Sequence, residues 1–427
     1  MKISSTKSEI KPVAQLISAY DVSKFKNNYY SNFESAGHNH TLESIVDNEP
    51  VSLREHFSSL KQVANEHGMT EVLVVCEPTG GYEKLLLKVA RSFGFKTEYV
   101  SGEASSKYKV IETNDSGKND IKDARVIFAL AKARKTLTCR DLPKEYQVLR
   151  RLSKAYERIS LDIAHLKNTI STVIEEFFPG VKISASQIYS KTVTTVINLY
   201  GLNPYKISAL SFNRFVKEVE KVLGKTCTKP QKSLLERIFK SSVNFDYKDT
   251  YEEVIEADTL FLQSLFKRYD LLLEQKKRSK DKVLIAFEKT KEFKKFESIG
   301  TGLFSIARII SETGPLDSFS CIEQVIRYAG LNLIERQSGT YRGHVRVSKK
   351  GNSLLRKILG QLVFSSFIKK GSVYSDYYFK KKEQKGGFYA LTCTMRKALK
   401  MLFGIHKSNQ SFCLERVLDQ EYFSKVA

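Results

Sequence analysis

The chain has 427 residues, of which 41% are hydrophobic, and it carries 70 lysines and arginines against 47 aspartates and glutamates. This hydrophobic content excludes global disorder, and the formal net charge of +23 indicates an anionic partner, for which nucleic acid is the default. The six cysteines form no C-x-x-C pair, which argues against a zinc knuckle and a secreted disulfide scaffold. We expect a cytoplasmic, nucleoid-associated protein, because no apolar run reaches the length of a membrane span and no signal-peptide core is present.

The excess positive charge lies toward the carboxyl end. Residues 1–145 hold 21 basic and 19 acidic residues, residues 146–327 hold 30 and 22, and residues 328–427 hold 19 and 6. The front is therefore nearly neutral, and the back carries more than half of the net charge. This division predicts metal chemistry among carboxylates in the front and phosphate binding in the back.

In chain order, the first 145 residues read as strands alternating with helices, which indicates an α/β sheet. The GHNH stretch at 37–40 is better explained as a polar loop than as a metal site, because no cysteine or histidine cluster accompanies it. The predicted elements are strands over 12–36, a helix over about 51–67, a strand over 72–76, a helix over 83–93, a short strand at 96–102 and a helix from about residue 119.

Residues 146–290 read as a helical spacer. Apolar residues recur in steps of three and four from Leu149 to Val173, which is a heptad seam, and the FFPG sequence at 177–180 ends it. A second long helix over about 250–289 has the same spacing. The two helices pair antiparallel within one chain or pair between chains. Residues 180–250 read as mixed helix and loop without a chemical motif.

Residues 291–427 read as mostly helical. A helix–turn–helix hairpin surrounds the I-G-x-G turn at 299–302, which either presents backbone N–H groups to a phosphate or is an ordinary turn. A helix over 319–331, a basic loop or hairpin over 335–352, a helix over 353–371 and a last helix around 392–405 follow.

Four carboxylates in the front third stand where a sheet would bring them together. Asp21 ends the first predicted strand, Glu77 ends the apolar strand, and Asp120 and Asp123 share one face near a helix start. Each of them alone is better explained as a turn, a cap or a solvated helix face. In a mostly parallel sheet they would converge, and their oxygens are the ligands that Mg²⁺ or Mn²⁺ prefers for assisting phosphoryl transfer. This layout is that of the ribonuclease-H-like nuclease fold, the class that contains Holliday-junction resolvases.

Six short stretches then carry a resemblance to a known family. They are AYDVSK at 19–24, EPTGGY at 77–82, KNDIKDA at 118–124, YAGL at 328–331, RQSG at 336–339 and RVSKKGNSLLR at 346–356. In this order they resemble the DEDD transposases of a bacterial insertion-sequence family that includes the pilin gene invertase. The departures are Asn119, where serine or threonine is common, and Leu333, where proline is common.

The resemblance implies an α/β plus α architecture in three segments. Residues 1–145 would be a RuvC-like, ribonuclease-H-like DEDD domain, residues 146–290 a coiled-coil helical spacer longer than the family's, and residues 291–427 a mostly helical transposase domain. It also implies that Asp21, Glu77, Asp120 and Asp123 bind Mg²⁺ or Mn²⁺. Ser338 would be the nucleophile that becomes joined to DNA, and a structured noncoding guide RNA would select the element ends and the target.

The surroundings of Ser338 are strongly basic, whereas no histidine stands beside it in a triad arrangement. A serine hydroxyl needs activation, and arginine forks stabilise charge on a phosphate. Alternatively, Ser338 is a loop residue and the cations simply hold DNA, with Ser348 and Ser353 as rival nucleophiles. The candidate nucleic-acid-binding residues are Arg336, Arg342, Arg346, Lys349, Lys350 and Arg356.

The sequence favours a DNA transposase or site-specific recombinase that uses a serine nucleophile. The alternative enzyme is a Holliday-junction-resolvase-like, structure-selective endonuclease that hydrolyses DNA through the four acids. A nucleic-acid-binding protein with a decayed site is the third class. Because recombination holds two DNA partners at once, we expect a homo-oligomer, either a dimer or a tetramer.

Overall fold

The computed structural model describes residues 15–113, 120–181, 183–245, 252–300, 302–334, 337–338, 341–342, 346–369, 372, 374–408 and 412. Side chains are described for the same residues except 112–113, 120–122, 185–186, 337–338 and 341–342. The chain divides into two compact units, Met1–Asp141 and Leu142–Ala427. None of the helices in the described part is long and apolar enough to cross a membrane.

The first unit is built on a six-stranded sheet with the order β3-β2-β1-β4-β5-β6. The strands are β1 Gln15–Val22, β2 Lys26–Ser35, β3 His38–Asp47, β4 Glu71–Cys76, β5 Lys96–Tyr99 and β6 Leu137–Thr138. The pairs β1–β4 and β4–β5 are parallel, whereas the other three pairs are antiparallel. The sheet is therefore mixed rather than mostly parallel, but its central strands still end at one edge.

The prediction of a polar loop at GHNH is wrong, because His38 and His40 begin strand β3. This strand pairs along its whole length with β2, yet most of its side chains are exposed. A strand at the edge of a sheet buries few side chains, so its sequence lacks the apolar alternation by which strands are recognised.

Helices cover both faces of this sheet. They are α1 Pro50–Glu66, α2 Glu83–Ser92, α3 Gly102–Thr113 and α4 Asp120–Lys132. Alternate residues of β1 enter different cores: Leu16 and Tyr20 pack with α1 and α2, whereas Ala19 packs with α4. The period of two along the strand thus assigns each residue of β1 to one face.

The second unit contains two long helices, α5 Lys144–Phe177 and α11 Glu252–Glu288, which pack against each other. Lys276 of α11 lies over the ring of Tyr156, and Lys167 of α5 lies over the ring of Tyr269, so the helices run antiparallel. The heptad seam is therefore buried within the chain, where Ile170 packs in the same core as Leu262. Of the two arrangements left open by the sequence, the structure has the intramolecular one.

Within residues 180–250, which carry no motif, the described residues 183–245 form a compact helical insert against the far ends of α5 and α11. Its helices are α6 Ala185–Ile188, α7 Lys191–Tyr200, α8 Pro204–Ser208, α9 Phe212–Leu223 and α10 Lys229–Val243. Ser190, Asn203 and Ser211 cap three of these helices with their side-chain oxygens, and capping boxes begin two more.

A second core of this unit joins the first turns of α5 to the C-terminal segment. The helices are α12 Phe293–Glu297, α13 Leu303–Thr313, α14 Ile322–Tyr328, α15 Ser353–Leu362, α16 Ser375–Lys385 and α17 Gly387–Ser408, and a π-helical turn Val363–Phe367 follows α15. In the I-G-x-G turn, a Cβ on Gly302 would lie 2.4 Å from Leu362 Cδ1. Gly302 also has φ 68°, so both the backbone conformation and the packing favour glycine at this position.

Two nested two-stranded ladders follow α14, which confirms the hairpin alternative for this stretch. The strands are β7 Leu333–Ile334, β8 Gln337–Ser338, β9 Tyr341–Arg342 and β10 Arg346–Val347. Strand β7 pairs antiparallel with β10, and β8 pairs antiparallel with β9.

An alanine at Gly351 is expected to destabilise the second unit by about 3 kcal/mol. Gly351 has φ 151°, and a Cβ there would lie 2.6 Å from both Gly330 N and Tyr328 O, so two backbone segments would have to separate. The matched control is Gly224→Ala, at φ 66° with no atom within 4 Å, which should cost about 1 kcal/mol. Urea unfolding followed by circular dichroism measures both losses, and equal losses would contradict the packing role of Gly351.

Candidate functional site

The register of the central strands places Asp21 beside Glu77. In the parallel pair β1–β4, Tyr20 is opposite Cys76, and Asp21 and Glu77 are the next residue of each chain segment. Neighbouring strands lie about 4.8 Å apart, so the two backbones carry their carboxylates side by side at the carboxyl ends of β1 and β4.

Both acids belong to the sheet face that α4 covers. Ala19 and Val75, two residues before Asp21 and Glu77, are buried in one core with Val126 and other residues of α4. Because side chains two apart in a strand share a face, Asp21 and Glu77 continue this row beyond the apolar core. The row ends in acids at the edge of the sheet, where α4 begins.

The other two acids lie in the first two turns of α4. Asp123 is half-buried and stands one turn before Ile127, which packs on the sheet. Asp120 begins the helix, one turn earlier, and its side chain lies outside the described part. Residues three and four apart share a helix face, so the helix presents positions 120, 123 and 127 on one side.

A lysine that the sequence reading missed is paired with Asp123. Lys109 Nζ of α3 lies 2.6 Å from Asp123 Oδ1. The same helix begins at Gly102, where an added Cβ would lie 3.6 Å from Glu77 Oε2. Helix α3 therefore runs beside Glu77 and Asp123, and its Lys109 forms an ion pair with Asp123.

The described side chains contain no group of three or more histidines, cysteines, aspartates or glutamates positioned to hold a metal ion. The side chain of Asp120 lies outside these described residues. The donor set nonetheless fits a hard divalent cation, since all four residues supply carboxylate oxygens and two of them are register neighbours. Lys109 neutralises part of the negative charge at this edge of the sheet through its ion pair with Asp123.

A buried carboxylate organises the loop that follows Glu77. Glu83 is 5% exposed and accepts hydrogen bonds from Thr79 N at 3.2 Å and Gly81 N at 2.9 Å. Gly80 and Gly81 have φ values of 69° and 121°, which allow the tight turn. Glu83 is thus a positioning residue for the segment after Glu77. The EPTGGYE sequence predicts a turn between Glu77 and Glu83, but it does not show which of the two side chains is buried.

In the second unit, two motifs that are about twenty residues apart in sequence dock through their backbones. Asn352 N donates to Tyr328 O at 2.8 Å, and Lys349 N donates to Gly330 O at 3.0 Å. Arg356 Nη1 donates to Ala329 O at 2.9 Å. The YAGL and KKGN stretches therefore fix the base of the hairpin that carries Ser338.

This docking also connects to a buried acid. Asn352 caps α15 by accepting from Leu355 N at 2.9 Å, and its Nδ2 donates to Glu312 Oε2 at 2.7 Å. Arg150 of α5 donates to the carbonyl oxygen of Glu312 at 2.6 Å. The end of α13, the start of α15 and the first part of α5 are thereby held together.

The predicted serine site is described only in its backbone. Ser338 stands in β8 opposite Tyr341, and its side chain lies outside the described part, as do Arg336 and the side chain of Arg342. Arg346, Lys349 and Lys350 are exposed, whereas Arg356 is half-buried and engaged with Ala329. Of the rival serines, Ser348 is half-buried and Ser353 is exposed at the first position of α15.

Two family models match the chain. The DEDD transposase model of the IS110 family, described as a transposase, matches residues 21–179. The model described as Transposase IS116/IS110/IS902 family matches residues 295–378. The first match includes Asp21, Glu77, Asp120 and Asp123, and the second includes Ser338. The insert at 180–250 lies between the two matches.

Solved structures resemble the chain only weakly. T. thermophilus RuvC in complex with a Holliday junction substrate is 9% identical, with a TM-score of 0.21, over 29% of this chain and 99% of that chain. The Aquifex aeolicus member of the Ppx/GppA family is 13% identical, with a TM-score of 0.18, over 60% and 98%. No curated protein matches the chain significantly.

Proposed function

We propose that this chain, a DNA transposase that carries the two transposase domains of the IS110 family, cuts and rejoins DNA through Ser338 with help from Asp21, Glu77, Asp120 and Asp123. The observation that carries the proposal is the parallel register, which sets Asp21 beside Glu77 on the face where α4 begins. A DEDD transposase domain implies dependence on a divalent metal ion. The first unit would then have the ribonuclease-H-like fold.

The four acids would hold Mg²⁺ or Mn²⁺. Such an ion, when bound, stabilises negative charge on phosphate oxygens and on attacking or leaving oxygens. The protein's own residues fix the arrangement: β1 and β4 hold two acids in register, Glu83 holds the loop after Glu77, and α4 supplies the remaining pair. Lys109 must leave Asp123, at least in part, before that carboxylate serves as a ligand.

At the second site, Ser338 Oγ would attack the scissile phosphate. A bond from Oγ to phosphorus forms, the bond from phosphorus to the leaving sugar oxygen breaks, and that oxygen takes up a proton. A hydroxyl of the second DNA strand then attacks the phosphoserine, which restores the serine hydroxyl and a DNA phosphodiester. Cations of this stretch would bind the phosphate oxygens: Arg336, Arg342, Arg346, Lys349, Lys350 and Arg356.

We extend the proposal to the partners. The DNA would comprise the element ends and the target, and a structured noncoding RNA would select them. The chain would act as a dimer or tetramer, because two DNA partners have to be held during exchange. The packing of the α5 seam within one chain means that another surface would form the assembly.

A structure-selective endonuclease is the second candidate, and the pairing of Asp21 with Glu77 favours it equally, since hydrolysis through the acids needs no serine. Denaturing electrophoresis of the protein after incubation with labelled element-end DNA separates the two. A band of protein covalently joined to DNA supports the transposase with a serine nucleophile. Cleaved DNA without such a band supports the endonuclease.

Replacing Lys109 with methionine is expected to tighten divalent-metal binding by about threefold to tenfold, because the half-buried Asp123 loses a competing cation. Calorimetric titration with Mn²⁺ measures the change. Lys107→Met is the matched control, since Lys107 lies on the same helix and pairs instead with Glu103. If both variants bind Mn²⁺ as the unmodified protein does, Asp123 is not a metal ligand.

A further inference from the structure

Basic side chains from four helices converge in the second unit near Glu157 of α5. Glu157 of α5 accepts from Arg308 Nη2 of α13 at 2.5 Å and also pairs with Lys357 of α15. Arg308 is 3% exposed and donates through Nη1 to Gln361 Oε1 at 3.1 Å. The carboxylate of Glu157 is therefore already shared by two cations.

Lys276 of α11 joins this set without a carboxylate of its own. Its ammonium lies 5.3 Å from the centre of the Tyr156 ring, and it forms no ion pair within the described residues. Burial lowers the pKa of Lys276, and the nearby cations Lys167, Arg308 and Lys357 lower it further, against one opposing effect from Glu157. We call Lys167, Lys276, Lys280, Arg308 and Lys357 the cation cluster.

The cation cluster holds five positive side chains, and Glu157 is the acid that pairs with two of them, Arg308 and Lys357. Partly burying a cation among like charges costs free energy unless an anion compensates. Aromatic rings supply part of this compensation, since Arg308 also lies over Tyr156 at 5.0 Å and Lys280 lies over Phe304 at 5.5 Å. Ring faces are weaker partners than a phosphate, so the cluster is arranged to receive an anion.

The position of the cation cluster indicates which kind of anion it binds. Ser353, Lys357 and Gln361 are spaced four apart and form one exposed row along α15. The row begins where the RVSKKGN stretch ends, with exposed Lys349 and Lys350, and it ends at Gln361 beside Arg308. A chain of regularly spaced phosphates can follow such a path, whereas a single small anion would fill only one point of it.

We infer that the cation cluster is a second phosphate-binding site, which contacts the backbone of a nucleic acid. Another part of the same nucleic acid lies on residues 346–356. The inference rests on nucleic acid as the substrate of the proposed function. It does not depend on which serine is the nucleophile or on the metal site. Lys276 is the direct phosphate contact, and Glu157 orients Arg308 and Lys357.

The test compares Lys276→Met with Lys277→Met in the salt dependence of binding. Lys277 is exposed on the same helix and makes no ring contact or ion pair within the described residues, so it is the matched control. Fluorescence anisotropy with a labelled DNA duplex and with a single-stranded RNA of equal length gives log K against log salt. Circular dichroism checks folding, and Lys276→Gln serves if the methionine variant does not fold.

We expect Lys276→Met to weaken binding about fivefold and to reduce the salt slope by about 0.9 for duplex DNA or about 0.7 for the single strand. The probe on which the slope changes identifies the nucleic acid that occupies the cluster. Unchanged slopes on both probes, or equal losses in the two variants, would overturn the inference. If the unmodified protein binds neither probe, the proposed function itself fails, which is a distinguishable result.

Discussion

Alanine in place of Ser338 is expected to abolish strand transfer, with a rate loss of at least about 10³-fold, because no covalent intermediate can form without the hydroxyl. Binding of DNA should change little, since Arg346, Lys349 and Lys350 are exposed and unaltered. A strand-transfer assay with element-end DNA measures the first quantity, and anisotropy with the same DNA measures the second.

The rival serines supply the controls for this experiment. Ser348→Ala and Ser353→Ala keep the charge of the basic stretch and should retain strand transfer within a few-fold. A Ser338→Ala protein that still becomes covalently attached to DNA would assign the nucleophile to another residue. Loss of activity in the Ser353 variant alone would point to the start of α15 instead.

Asp21→Asn is expected to reduce DNA cleavage by about 10²-fold or more and to weaken Mn²⁺ binding, because it removes one anionic ligand while preserving shape. Glu77, the residue that follows β4, would keep its place beside position 21. Cleavage measured across a Mn²⁺ titration, together with calorimetry, separates weaker metal binding from slower chemistry.

Asp47→Asn is the matched control, because Asp47 is an exposed aspartate at the end of an edge strand of the same sheet. It should leave both quantities unchanged. Full activity of Asp21→Asn in the presence of excess chelator would contradict the metal site altogether.

Strong local patterns explain why the order of elements in the first unit was predictable. The apolar run of β4 and the helix closed at Gly68 are visible in the sequence, and the acids at positions 21 and 77 stand at strand ends as predicted. Strand β3 was missed because its exposed edge carries little apolar alternation. Helix α3 and the short strand β6 were also missed, and α3 carries Lys109.

The remaining features depend on contacts between residues far apart in the chain. The pairing of Lys109 with Asp123, the turn of Glu83 toward the loop amides and the cation cluster each require a tertiary arrangement that no local spacing encodes. The heptad seam fixed which faces of α5 and α11 are apolar, but the same pattern serves pairing within and between chains. Helices α6 to α10 of the insert complete that core.

Peptide mapping of the protein–DNA adduct tests the central claim most directly. Trypsin cleaves after Arg336, Arg342, Arg346, Lys349, Lys350 and Arg356, so the three candidate serines fall in different peptides, 337–342, 347–349 and 351–356. After nuclease digestion, mass spectrometry should find a nucleotide remnant on peptide 337–342, and fragmentation should place it on Ser338. A remnant on either other peptide, or cleaved DNA with no modified peptide, would contradict the account.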